Sequence, residues 1–235
     1  MPYRITRESI LSVEADAAVL GLEMTMDPAE SPVCAQLAAA GGDLLREALA
    51  QLRFLPVGSA AAVDCTALPF GCLILTAMPR WLTGKANELL VLHRCYESVY
   101  AAARERGCRS LVTPFLSALY YRFPQDEAVR IALAECRRAG MDTVFVAETP
   151  ELFTLSGQPY RRPQIVSYIG YYRDHALFAL DNGLFARIDL RPERTEVALI
   201  PYFEACFREG NNPLQPPLPA AEIDRLREIY EHTDW

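Results

Sequence analysis

Four stretches of this chain are apolar at almost every position and no longer than a β-strand. They are ADAAVLGL at residues 15–22, GCLILTAM at 71–78, SLVTPF at 110–115 and DTVFVA at 142–147. A strand with one wet face alternates apolar and polar residues; a strand apolar throughout needs cover on both faces. Between these runs lie amphipathic helical patterns. Ser31 and Pro32 read as an N-cap and first helical residue, Gly41–Gly42 interrupts that helix, and DLLREALAQL continues it. Residues 87–106 place Leu89, Leu92, Tyr96, Val99 and Ala103 on one stripe before Gly107. Pro124 leads a further helix with Asp126 and Glu127 in its first turn and a stop at Gly140. Strands alternating with helices predict a three-layer α/β domain over residues 1–153, with a mainly parallel central sheet and a ligand crevice at its strand ends.

Beyond Phe153 the pattern changes. TLSGQPYRRPQ reads as a linker, and strand-like runs flank Asn182–Gly183, a strong hairpin signal. TEVALIPYF is a candidate third strand, NNPLQPPLP a proline-rich spacer, and AAEIDRLREIYEH an amphipathic helix with Ile223, Leu226 and Tyr230 on one face. Residues 160–235 are therefore expected to form a small C-terminal α+β extension. An isolated hairpin is marginal in water, so the helix is expected to cover it, and the extension is a candidate contact for a homo-oligomer.

Composition narrows the function. The chain has 235 residues with 23 basic and 30 acidic side chains, a formal net charge of −7, and no run of Lys or Arg. That disfavours a nucleic-acid backbone as partner. The N-terminal MPYRITRES lacks the apolar core of a secretion signal, and no apolar run reaches the roughly 18 residues of a membrane span. A cytoplasmic protein with no membrane partner is expected. Seven cysteines with no CxxC, and three scattered histidines, read as buried thiols and ordinary histidines rather than a metal site. No cofactor and no metal are expected.

The order of pieces up to Phe153 resembles the macro domain, an α/β fold that typically binds ADP-ribose. ESILSVEADAAV resembles the family's opening, CAQLAAAGGDLLREAL its first helix, VGSAAAVDCTALPFGCLILTAMPRW its middle section, and RSLVTPFLSALYYRFPQDEAVRIAL its late strand, second phosphate loop and following helix. The resemblance implies an ADP-ribose-like ligand and a site at Ser9, Gly21, Glu23, Ser117, Ala118, Leu119, Tyr120, Tyr121 and Arg122.

The departures fall on these same positions. Ser9 stands where the family usually has an adenine-binding aspartate, and Leu20-Gly21-Leu22-Glu23 stands where it has N-A-A-N. Both glycine-rich phosphate loops have gone: MTMDPAESP replaces the first, and Ser117-Ala118-Leu119-Tyr120-Tyr121-Arg122 the second. Glycine lets backbone N–H groups approach phosphate and lets the chain take positive φ. A leucine at positive φ is strained, so a changed loop shape is expected around Leu119. Arg122 is either a fork for an anion or a surface arginine. The two tyrosines either stack on a base or fill the crevice. Asp27 and Glu30 make the opposite rim acidic. No catalytic set is identified; Glu23 is a carboxylate without a visible partner. Three readings stay open: non-catalytic binding of a nucleotide-like ligand in a remodelled crevice, an ADP-ribosyl hydrolase with non-standard residues, and an interaction module with a closed crevice. An open second loop favours the first and a plugged one the last.

Overall fold

The computed structural model describes residues 3–23, 25–81, 87–120, 123–158, 162–172, 174–182, 184–195, 197–200 and 218–233. In chain order its elements are β1 (Tyr3–Thr6), β2 (Ala17–Leu22), α1 (Pro32–Leu52), β3 (Ala60–Val63), β4 (Cys72–Ala77), α2 (Glu88–Glu105), β5 (Ser110–Pro114), α3 (Gln125–Ala139), β6 (Asp142–Val146), α4 (Pro150–Ser156), β7 (Ile165–Tyr172), β8 (His175–Leu180), β9 (Phe185–Asp189), β10 (Val197–Ile200) and α5 (Ala220–His232), with a single 3-10 turn at Ile10–Ser12. The chain divides into two compact units, Met1–Trp81 with Glu88–Tyr160, and Arg161–Trp235 with Leu82–Asn87.

The first unit is built on a six-stranded sheet in the order β1-β6-β5-β2-β4-β3. Every neighbouring pair is parallel except β3–β4, which is antiparallel. The apolar runs of the sequence are its interior: every residue of β2 and β4 is buried. Burying each Leu, Val or Ile side chain stabilises the fold by roughly 1.5–3 kcal/mol relative to exposure. Helices flank the sheet, with α1 against β2, α2 against β3, β4 and α3, and α4 against β1 and α3. Phe115 and Phe145, from the ends of β5 and β6, stack with ring centroids 4.9 Å apart. The sheet class expected from the sequence is the one observed.

Local signals explain the helix ends. Ser31 Oγ accepts the N–H of Cys34 at 3.2 Å, as an N-cap does. The expected interruption of α1 is a kink at Gly42, whose φ of +51° suits glycine. Gly140 closes α3 in the left-handed conformation. One helix differs from the sequence reading. Helix α4, capped by Thr149 Oγ1, which accepts the N–H of Leu152 at 3.2 Å, was not foreseen, and its last residues, Thr154–Ser156, are the start of the expected linker.

The second unit is a four-stranded antiparallel sheet, β10-β9-β8-β7, with α5. The hairpin around Asn182 joins β8 to β9, and the candidate third strand is β10. β7 was not foreseen; it pairs with β8 through two irregularities in register. The register Phe178↔Ala186 and Leu199↔Ala186 aligns buried Phe178, Ala186, Leu199 and Ile188 across three strands. Helix α5 packs against β9, burying Leu226 and Tyr230. Its fit is fixed by polar contacts as well, since Tyr230 Oη donates to Pro163 O at 2.6 Å and Arg225 Nη2 to Leu190 O at 3.2 Å. The helix thus covers the hairpin sheet, as its apolar stripe predicts.

Candidate functional site

The C-terminal ends of the parallel strands meet the start of α1 in the first unit. The cleft there is lined by Ala29, Glu30, Ser31 and Cys34 on one side, and by Met78, Pro114–Ser117, Leu119, Tyr120 and Glu148 on the other. Among the described residues the centres of water molecules have about 10 Å³ of it, room for about one water molecule.

The cleft is narrow because its own side chains fill it. Met78 follows β4 and crosses in front of Gly21, so closely that a Cβ on Gly21 would lie 2.7 Å from both Met78 Cε and Sδ. The Met78 sulfur also accepts the N–H of Ser117 at 3.3 Å. Tyr120 is buried, and Arg80 Nε donates to its hydroxyl at 3.4 Å. Arg80 also lies 3.5 Å from the Glu23 carboxylate. Burial raises the Tyr120 hydroxyl above its ordinary pKa; Arg80 works against that and Glu23 with it.

Many of the backbone donors around the cleft already have partners in the chain. In α1, Pro32 has no N–H. Val33 N donates to Glu148 Oε1 at 2.9 Å, Cys34 N to Ser31 Oγ at 3.2 Å, and Ala35 N to Ser31 O at 2.9 Å. In the second loop, Leu116 N donates to the buried Tyr96 Oη at 2.8 Å, Ala118 N to Phe115 O at 3.1 Å and Tyr120 N to Ser117 O at 2.9 Å. In the first loop, Glu23 N donates to Asp27 O at 2.8 Å, Ala29 N to Gly21 O at 2.9 Å and Ser31 N to Ala29 O at 2.8 Å.

Glu148 lies just beyond β6 and is the anion at the start of α1. Burial raises its carboxyl above the ordinary carboxylate range, against the lowering effects of the Val33 N–H and the Ser31 hydroxyl. Cys34 beside it is pushed up to about 11, first by burial, with the Glu148 charge adding to the rise. A thiol so protonated is a poor nucleophile.

The sequence-predicted residues divide into three groups. Ser117, Leu119 and Tyr120 line the cleft, and Ala118 is buried between them. Gly21 and Glu23 end β2 beside it, in contact with Met78 and Arg80. Ser9 is exposed, its hydroxyl donating to Gln36 Oε1 at 2.7 Å, and is not among the lining residues. Tyr121 and Arg122 lie outside the described residues. The strained position in the second loop is Ser117, at φ +64°, and not Leu119. Serine takes that conformation at lower cost than leucine, while the loop closes in tight turns around it. Met78, Arg80, Cys34 and Glu148 join the site without having been foreseen. Their sequence signal is position alone: Met78, Arg80 and Glu148 each follow a parallel strand at its C-terminal end.

Among the described residues no group of three or more His, Cys, Asp or Glu side chains is placed to hold a metal, and no helix is long and apolar enough to cross a membrane.

Residues 21–132 match the family model for the macro domain. A protein of Fusobacterium nucleatum is 30% identical over 123 residues, which are 52% of this chain and 67% of that protein. The chain belongs to the macro domain family. A macro domain-containing protein of Ralstonia nicotianae is 34% identical over 104 residues, 44% of this chain and 60% of the relative, so the chain spans less than two thirds of that protein. An O-acetyl-ADP-ribose deacetylase of Pantoea vagans is 34% identical over 77 residues, 33% of this chain and 45% of the relative. Among solved structures, the Trypanosoma brucei macrodomain in complex with ADP-ribose shares the fold with a TM-score of 0.58 and 21% identity, covering 66% of this chain and 67% of that one. The macro domain match ends at residue 132, before Glu148 and before the second unit.

Proposed function

We propose that this macro domain is non-catalytic, keeps its crevice closed with its own side chains, and serves as a protein-interaction module. The observation that carries the reading is the Glu148 carboxylate on the Val33 N–H. The first turn of a helix favours an anion because its N–H groups are unpaired and the dipole is positive there. Here Pro32 lacks one of those groups, and those of Ser31, Val33 and Cys34 are engaged by Ala29 O, Glu148 and Ser31 Oγ. A diphosphate entering the cleft has to displace a charge-assisted hydrogen bond of about 1.5–3 kcal/mol. It would then sit against a carboxylate of its own sign. Met78 and Tyr120 occupy the space as well. Glu23, at the end of β2, is paired with Arg80 and not free to act as a base.

A second reading, binding of an ADP-ribose-like ligand after rearrangement of Met78 and Tyr120, is favoured by one observation. Relatives at 34% identity include proteins named O-acetyl-ADP-ribose deacetylase. Calorimetric titration with ADP-ribose separates the two. The closed crevice predicts a Kd weaker than about 100 μM, about −5.5 kcal/mol or less of binding free energy. A submicromolar Kd overturns it in favour of the second reading. Release of acetate from O-acetyl-ADP-ribose above the buffer rate would overturn the non-catalytic assignment.

A further inference from the structure

Four of the described cysteines pack as small hydrophobes. Cys65 is buried, and the other three rest their sulfurs near carbonyls, Cys34 at 3.7 Å from Gly21 O, Cys95 at 3.4 Å from Ala77 O and Cys136 at 3.8 Å from Met141 O. Cys72 and Cys108 differ. Their sulfurs face each other at 3.7 Å, and Cys108 is only half-buried.

Both positions are anchored. Cys72 opens β4 in register with Ala17. Cys108 follows Gly107, which ends α2 at φ +74°, and its own N–H donates to Ala103 O at 3.0 Å. That is the hydrogen bond of a Schellman ending. Asp16 ties the two neighbourhoods together. Its carbonyl accepts the N–H of Gly71 at 2.9 Å, and its carboxylate accepts those of Arg109 at 2.7 Å and Ser110 at 3.0 Å. The residue before Cys72 and the residue after Cys108 are thus held by one residue, the first through its carbonyl and the second through its carboxylate. Burial and the Cys108 sulfur hold the Cys72 thiol above its ordinary range; Arg106, paired with Asp64 at 3.1 Å, works against that rise, and Asp64 adds to it.

We propose that Cys72 and Cys108 form a reversible disulfide, with Cys108 as the entry point for a low-molecular-weight disulfide such as oxidised glutathione. The Cys108 thiolate attacks one sulfur of glutathione disulfide; that S–S bond breaks and one glutathione leaves as thiolate. The Cys72 thiolate then attacks Cys108 Sγ and expels the second glutathione. The chain loses two electrons and two protons, and glutathione disulfide is reduced to two thiols. The sulfurs have to close from 3.7 Å to about 2.05 Å. Burial and the neighbouring Cys108 sulfur push the Cys72 thiol up to about 12, so the second displacement is the slow one, and the Cys108 contribution is removed once that sulfur is in the mixed disulfide. The staple lies at the N-terminal ends of β4 and β5, the sheet edge opposite the crevice, so it stands independently of the proposed function.

The full chain is incubated with excess oxidised glutathione, denatured without reductant, alkylated and mapped by mass spectrometry. The seven cysteines are expected to give five alkylated sites, no glutathione adduct, and one cross-linked peptide pair containing Cys72 and Cys108. Dithiothreitol is expected to restore seven alkylated sites, and the oxidised form to melt at a higher temperature than the reduced one. Cys72→Ser is expected to stop at a glutathione adduct on Cys108. Seven alkylated sites after oxidation, a pair other than these two, or a persistent wild-type adduct at Cys108 overturns the proposal, whether or not the variant folds.

Discussion

Glu148 Oε1 accepts the N–H of Val33 at 2.9 Å across 115 residues of sequence. The bond ties the end of β6 to the start of α1 and fills the anion position of that helix with a group of the chain itself. Because burial raises this carboxyl above its ordinary value of 4.5, the folded state holds the proton more tightly than the unfolded one. Its contribution to stability is therefore full below that value and falls as pH rises through the raised pKa. Glu148→Gln keeps an acceptor for Val33 but does not titrate. The stability of the variant relative to wild type is expected to rise with pH from about 4.5 upward and then level off. Urea unfolding at several pH values measures this, and a relative stability that falls over that interval contradicts it.

Tyr96 holds the second loop from below, its buried hydroxyl accepting the Leu116 N–H at 2.8 Å. Tyr96→Phe leaves that N–H buried and unpaired, at a cost of about 1–3 kcal/mol. The loss is expected in denaturant midpoint with an unchanged m-value. A change within experimental error would mean that the loop finds another acceptor.

The contact between Gly21 and Met78 is steric. Gly21→Ala puts a methyl group 2.7 Å from the Met78 sulfur and Cε, an overpacking expected to cost about 1–3 kcal/mol. Met78→Ala removes the obstruction and leaves a cavity, for about 2–5 kcal/mol. The double variant is expected to be more stable than the sum of the two losses predicts, which a double-mutant cycle reads directly. Strict additivity would show that the glycine is not there to make room for Met78.

In the second unit, Leu226 is completely buried on α5. Leu226→Ala is expected to cost about 2–5 kcal/mol in the unfolding of that unit.

Much of the fold was legible because its signals are local. A continuous apolar run such as LILTA needs two covered faces, and a Ser-Pro or Ala-Gly boundary caps a helix wherever it lies. The Thr149–Pro150 start of α4 carries the same kind of signal, but the polar residues after it read as a linker and hid the helix. β7, IVSYIGYY, mixes polar and aromatic residues without clean alternation, and its register irregularities account for that. The site was less legible. That Ser117–Tyr120 forms one wall follows from its place after an apolar strand. Glu148 could not be assigned, since a carboxylate after a strand becomes a helix cap only when the fold brings α1 to it. Arg80 was passed over for the same reason, and its partner Glu23 therefore looked unpaired.

The pairing of β1 with β6 sets an order of events during synthesis. Tyr3 aligns with Thr143, so β1, at one end of the strand order, meets its neighbour β6 only after 140 more residues have been made. At roughly 5–20 residues per second that is a wait of about 7–28 s. Until then the strand has nothing to pair with, and the α1 terminus has no Glu148. Through that interval β1 has to be kept from other strands on crowded polysomes, and closing this sheet edge comes late in the folding of the first unit.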